Sequence, residues 1–204
     1  GAAIGAQNTA VLTITDNDPA PTGTPILLNH TYAGNYDFVG TGGTLRTEPN
    51  TGNACAVTTS GSASLSGIPA GATVVSAHLY WVGSMQTPGT EDYNITFDGN
   101  NLVADNQHQE LFVYGADNLY YFGAEEDVTS IVASKGNGTY TFSNLTVYNG
   151  APHCAPQAVV AGWSLVVIYQ DLITPAPLRV INIYDGFEYF QSSQIILTPT
   201  NFQV

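Results

Sequence analysis

The chain has 204 residues, of which 44% are hydrophobic and only 9% are charged, and 3 Lys and Arg against 16 Asp and Glu give a formal net charge of −13. The length fits one large all-β domain, or one domain with a small appendage. So few cations cannot neutralise many phosphates, which argues against nucleic-acid binding and against electrostatic docking on anionic membranes.

The first eighteen residues end in an alternating segment that predicts a single β-strand. One face of this strand carries Ile4, Ala6, Ala10, Leu12 and Ile14. Residues 19–25 contain three prolines, which block helix and ladder pairing, so a stiff extended linker is expected there. The predicted organisation is therefore an extension strand over 1–18, a linker over 19–25 and a domain over 26–204.

The domain is predicted to be built from many short strands separated by turns. Strands are expected at 26–32, 74–81, 93–97, 111–114, 119–122, 139–142, 145–147, 163–169, 178–184 and 194–198, with a further strand and turn within 55–65. Residues 40–43 predict a mobile glycine-rich loop, residues 68–71 a turn, and residues 98–101 a tight hairpin. This pattern is typical of an all-β sandwich, either jelly-roll or immunoglobulin-like.

The run from Trp163 to Tyr169 is the most apolar of these strands, and we expect it to be buried on both faces. Residues 74–81 and 178–184 have a similar composition and are its predicted neighbours. These three strands are predicted to form the core, and none of them carries a catalytic motif.

One short helix is expected over 126–134. Its apolar face would carry Val128, Ile131 and Val132, and residues 135–136 suit its end. The acidic residues 125–127 would stabilise its N-terminus, although they could instead form a Ca²⁺ site.

The two cysteines, Cys55 and Cys154, lie 99 positions apart in loop-like contexts. The secreted-looking composition favours a disulfide between them, and the alternative is two unrelated reduced thiols. The chain lacks an apolar run long enough to span a bilayer and shows no signal peptide, so it is either cytosolic or the mature part of a secreted protein. The cysteines favour the secreted reading.

Two stretches resemble known protein modules. The segment from Asn8 to Asp18 resembles the last strand of a Calx-beta domain, which ends in a similar acidic motif before a proline-rich linker. Residues 68–81 and 162–169 resemble an uncharacterised β-sandwich module of large secreted bacterial surface proteins. The first resemblance implies Ca²⁺ binding by Asp16 and Asp18, although the other acidic residues of that family's site are absent here, and a solvated acidic turn is the alternative.

An isolated strand requires a partner, because its backbone groups and apolar face need burial. The segment 4–16 could add to a neighbouring copy, fold back on its own body or remain disordered. Strand addition between copies would make it an assembly strand.

Other candidate sites are weaker. The four histidines show no metal-ligand spacing, and no nucleophile elbow, phosphate loop or dinucleotide motif is present, so we expect no enzymatic activity. Tyrosine and phenylalanine cluster in two regions, where they would form a subunit interface, stack against a sugar or pack internally. The candidate interface residues are Tyr120, Tyr121, Tyr189 and Phe190.

We therefore expect an extracellular, cell-surface structural protein: a subunit of a pilus-like filament or adhesive fibre made of identical copies. The alternative is a calcium-dependent adhesin module that binds a glycan or a host protein. The first function needs no cofactor, whereas the second needs Ca²⁺.

Overall fold

A computed structural model describes residues 22–189, which form eleven strands and one helix. The strands are β1 (Thr22–Gly34), β2 (Tyr36–Thr44), β3 (Gly61–Leu65), β4 (Thr73–Met85), β5 (Asn94–Phe97), β6 (Asn100–Val103), β7 (Asn106–Tyr114), β8 (Asp117–Asp127), β9 (Gly138–Ser143), β10 (Ala161–Gln170) and β11 (Arg179–Tyr189). The helix is α1 (Thr129–Lys135). The predicted all-β sandwich with one short helix is confirmed. The extension strand 1–18 and the strand predicted at 194–198 lie outside the described residues.

Three antiparallel sheets are layered. A five-stranded sheet has the order β2-β10-β4-β8-β7, and a four-stranded sheet has the order β3-β9-β5-β6. The third sheet contains only β1 and β11, and we call it the terminal ribbon. The four-stranded sheet covers the inner face of the five-stranded sheet, and the terminal ribbon covers its outer face.

Aromatic side chains fill the space between the two larger sheets. Trp163 of β10 stacks on Phe142 of β9, with ring centroids 5.6 Å apart. Phe97 stacks on Tyr140 at 5.4 Å and meets Trp163 edge-on at 5.9 Å. Because large rings bury much apolar area and also interact through their quadrupoles, this layer is the main hydrophobic core.

Of the two strands predicted as neighbours of β10, one is confirmed and the other is wrong. β10 pairs with β4, as expected, and the observed register places Trp163 opposite Trp81. Its second partner is β2 and not β11, which pairs with β1 instead. The mobile loop predicted at residues 40–43 is therefore wrong, because these residues lie inside β2. Glycine is needed there, since a Cβ on Gly42 would lie 2.4 Å from the carbonyl oxygen of Trp163.

Of three further local predictions, one is confirmed, one has the wrong boundary and one is wrong. The hairpin at residues 98–101 is confirmed: Asp98 and Gly99 have φ values of 49° and 82°, as a type I′ turn requires. The helix begins at Thr129 and not at residue 126, because Glu125 and Glu126 continue β8. The strand expected at residues 145–147 is wrong, since those residues lie in a loop.

The first described strand begins at Thr22, inside the segment predicted as linker. Pro25 is tolerated because the pairing of β1 with β11 shifts register between Thr24 and Leu27. The segment predicted as linker is therefore shortened to residues 19–21, which lie outside the described residues.

Candidate functional site

The terminal ribbon connects both outer segments of the chain to the body. Thr22 pairs with Tyr189, so residues 1–21 and 190–204 join the body at the same end of the ribbon, which we call the open end. The ribbon lies close against the outer face of the five-stranded sheet. A Cβ on Gly123 of β8 would lie 2.8 Å from the ring of Phe187. The glycine therefore allows the ribbon to approach the sheet closely.

A buried polar relay lies beneath β1. Ser76 and His78 alternate along β4 and so point to the same, outer face. The Ser76 Oγ lies 2.5 Å from His78 Nε2, and His78 Nδ1 lies 2.7 Å from Glu125 Oε1. Asn106 donates to the other Glu125 oxygen at 2.7 Å. Each of these buried polar groups therefore has a partner, as burial requires.

The relay has the connectivity of a hydroxyl, imidazole and carboxylate triad. In the tautomer in which Nδ1–H donates to Glu125, Nε2 of His78 accepts from the Ser76 hydroxyl. However, Ser76 is only 5% exposed, and residues of β1 lie over the relay. The Tyr32 hydroxyl is 3.3 Å from His78 Nε2, and the His30 ring centroid is 4.7 Å from that of His78. While the ribbon is docked, the relay can anchor β1 but offers no room for a substrate at Ser76.

A second histidine anchors β11. His108 Nε2 of β7 lies 2.9 Å from Asp185 Oδ2, and both side chains are 11% exposed. Burial raises the pKa of Asp185, but the hydrogen bond and charge of His108 together with the Gly186 N–H lower it more, so the pKa lies below its ordinary value. Three of the four histidines in the sequence thus lie where ribbon and sheet meet.

Tyr80 lies in the same interface. Burial raises the pKa of its hydroxyl above the ordinary range, and the charges of Glu125 and Asp185 act in the same direction. The hydroxyl is buried and has no hydrogen-bond partner among the described residues. The ribbon interface is therefore polar, and among the described residues it leaves the Tyr80 hydroxyl and His108 Nδ1 buried without a hydrogen-bond partner.

An apolar groove of about 410 Å³ opens beside Phe187, near the open end of the ribbon. Its apolar walls are Val82, Phe112, Tyr121, Val160 and Phe187. Glu110 and Glu188 also line it. Tyr121 is held in the wall because its hydroxyl donates to the carbonyl oxygen of Ala158 at 2.9 Å.

The opposite end of the sheet carries an apolar loop between β10 and β11, residues 172–178, which we call the proline loop because it contains Pro175 and Pro177. Leu172, Ile173 and Leu178 are 72%, 77% and 75% exposed. The groove and the proline loop are thus two apolar surfaces at opposite ends of one molecule.

The structure describes only some of the predicted site residues. Asp16, Asp18, Phe190 and the assembly strand lie outside the described residues, so these predictions stay predictions. Tyr121 lies in the groove wall, whereas Tyr120 packs against the core cluster, and Tyr189 ends β11.

Calcium binding at residues 125–127 has no support in the structure. Glu125 points into the polar relay, and Asp127 accepts the Thr129 N–H at 2.7 Å. Over residues 22–189, no group of three or more His, Cys, Asp and Glu side chains could hold a metal ion.

The predicted disulfide between Cys55 and Cys154 is confirmed, with the two Cα atoms 5.3 Å apart. It joins the loop that follows β2 to the loop that precedes β10. Disulfides persist in oxidising compartments, which indicates a non-cytoplasmic protein. In the described part of the chain, no helix is long and apolar enough to cross a bilayer.

Comparisons with known proteins identify no relative: no protein-family model matches the chain, and no curated protein or solved structure is significantly similar to it. The resemblance to a Calx-beta strand and to a bacterial surface module therefore stays a prediction. The function must be argued from the geometry of the chain itself.

Proposed function

We propose that the protein is a structural subunit of an extracellular pilus-like filament or adhesive fibre. In this proposal residues 4–16 of one copy add as a β-strand to a neighbouring copy. The observation that carries it is the terminal ribbon, a separate two-stranded sheet that joins this segment to the body at its open end.

The short connection restricts where the neighbour must lie. Residues 17–21 lie between the assembly strand 4–16 and β1, and five residues reach at most about 16 Å when fully extended. The accepting copy must therefore contact the donor close to its open end. Contacts of this kind repeat from copy to copy and are heterologous, so they produce filaments when they do not close into a ring.

Edges for strand addition exist in the body. Over the described residues, β2 and β7 are the outermost strands of the five-stranded sheet, and β3 and β6 are those of the four-stranded sheet. Edge strands present main-chain groups that an extended segment can pair with. The disulfide supports an extracellular setting, in which a covalent brace protects a structural subunit from unfolding.

The alternation of the assembly strand provides a matched test. We expect Leu12→Asp to abolish assembly, because it places a charge on the apolar face that must be buried. Thr13→Asp changes the neighbouring residue on the opposite face and should leave assembly nearly unchanged. Sedimentation velocity of both variants over a concentration series is the measurement. Equal assembly of Leu12→Asp and the unchanged chain would contradict the proposal.

The calcium-dependent adhesin is a second candidate because aromatic residues (Phe112, Tyr121 and Phe187) and two acidic residues line the groove. EDTA separates the two functions. Filaments that survive EDTA favour the structural subunit. A monomer that binds a glycan only in the presence of Ca²⁺ favours the adhesin.

A further inference from the structure

The edge of β2 that faces away from β10, which we call the free edge, presents main-chain groups to an added strand. β2 pairs with β10 through all of its residues without a register shift. Just beyond β2, the Leu45 N–H donates to the carbonyl oxygen of Ala161 at 3.0 Å. Because the main-chain groups of an antiparallel strand alternate between its two edges, odd-numbered residues of β2 bond to β10 and even-numbered ones face the free edge. Gly40 and Gly42 therefore direct their main-chain groups away from the body.

Among the edge strands of residues 22–189, β2 is the long one that lacks the usual protection. Proteins shield edge strands from pairing with other chains by prolines, bulges and charged side chains. β1 contains Pro25 and two register shifts, whereas β7 and β11 contain charged side chains. β3 and β6 have five and four residues, so they are much shorter than the segment 4–16. The single charged residue of β2 is Asp37, which Arg179 pairs with at 2.6 Å.

Gly43 of β2 is a glycine that the fold of its own chain does not require. A Cβ at this exposed position would have no heavy atom within 4 Å, and its φ lies outside the left-handed region. Glycine inside a strand is destabilising relative to alanine, and it often marks a place where another backbone approaches closely. Gly43 pairs with Trp163 and therefore lies on the inner face of the sheet, at its rim. It leaves space there for side chains of an added strand.

We propose that the segment 4–16 of one copy pairs with the free edge of β2 in the next copy. This inference rests on the proposed function and identifies the accepting strand. The chain carries a net charge of −13, so identical copies repel one another except where uncharged surfaces meet. Residues 1–15 and 38–44 contain no charged side chain. The two segments can therefore meet without repulsion between them.

The strand added to β2 must come from another copy. Gly23 of β1 lies against β7, because a Cβ on Gly23 would overlap the carboxylate of Glu110. β7 and β2 are the opposite edges of the five-stranded sheet, so a strand added beyond β2 lies five strand spacings from β7, about 24 Å at about 4.8 Å each. Residues 17–21 reach at most about 16 Å. A copy therefore cannot supply its own segment 4–16 to its own β2.

Two matched lysine substitutions in the full chain test the accepting edge. Gly43→Lys puts a charge on the inner face of β2 in open space, so the fold tolerates it. We expect it to raise the concentration needed for half-maximal assembly at least about ten-fold, because an added strand would have to bury the charge. Val103→Lys is the control, since Val103 of the edge strand β6 is 59% exposed, and its assembly should stay within about two-fold of the unchanged chain. Sedimentation velocity measures assembly, and thermal melts should show that both variants fold.

Hydrogen exchange measured by mass spectrometry locates the pairing without any substitution. When the unchanged chain assembles, the amides of Gly40 and Gly42 should exchange at least about ten-fold more slowly, whereas those of β7 should change little. If assembly protects β7 and not β2, or if Gly43→Lys assembles as readily as the unchanged chain, the accepting edge is wrong although strand addition can stand. If the unchanged chain does not assemble at any concentration, the proposed function fails and this inference fails with it.

Discussion

The inner face of the five-stranded sheet packs Trp81 and Trp163 against aromatic rings of the opposite sheet, whereas the outer face packs His78 and His108 against polar residues of the terminal ribbon. Apolar packing has little dependence on pH, and it fails only when the sandwich opens. The stabilisation that paired ionisable groups contribute depends on pH, and most of it is lost when one partner is removed. We therefore expect the packing of the ribbon on the sheet to depend on pH more strongly than the packing inside the sandwich.

The largest effect is expected on the inner face. Phe97 is fully buried between Tyr140 and Trp163, so Phe97→Ala should lower the free energy of unfolding by about 3–5 kcal/mol. Urea denaturation at two pH values measures it, and the loss should be equal at both. A loss below about 1 kcal/mol would show that this aromatic layer is not the main core.

A smaller effect is expected in the polar relay on the outer face. Glu125→Gln keeps the shape of the side chain but removes the charge that His78 and Asn106 contact, so we expect a loss of about 1–3 kcal/mol. Urea denaturation of Glu125→Gln, of His78→Asn and of their combination measures the coupling. Strictly additive losses would contradict the relay.

The smallest of these effects depends on pH. Because the pKa of Asp185 is lowered on folding, the unfolded chain binds more protons, so the stabilisation is present above the ordinary carboxyl range and is lost as pH falls through the folded pKa. Asp185→Asn should therefore cost about 1 kcal/mol near pH 6 and progressively less towards pH 3. Thermal melts across this range are the measurement. If the loss of stability caused by Asp185→Asn does not change with pH, the ion pair with His108 does not stabilise the fold.

The sequence was most informative where local pattern determines local structure. The apolar runs at β4 and β10 and the turn at Asp98 and Gly99 depend on neighbouring residues, and these elements were predicted correctly. β2 was missed because its glycines give no alternating pattern. Its pairing depends instead on close approach to β10, which only the register reveals.

The polar relay could not be predicted for a related reason. Ser76 and His78 are neighbours on one strand, but Glu125 is 47 residues from His78 and was assigned to a helix N-terminus. The pairing of β4 with β8 brings them together, and no spacing in the sequence signals it. Three consecutive acidic residues before an apolar run suit a helix start equally well, so the burial of Glu125 was the missing information.

Strand addition can be tested by electron microscopy of the full chain beside the same chain lacking residues 1–18. We predict regular filaments from the full chain and separate particles, with intact disulfide and sandwich, from the shortened one. Filaments of the same form from both chains would contradict strand addition, and separate particles from both would contradict a filament subunit altogether.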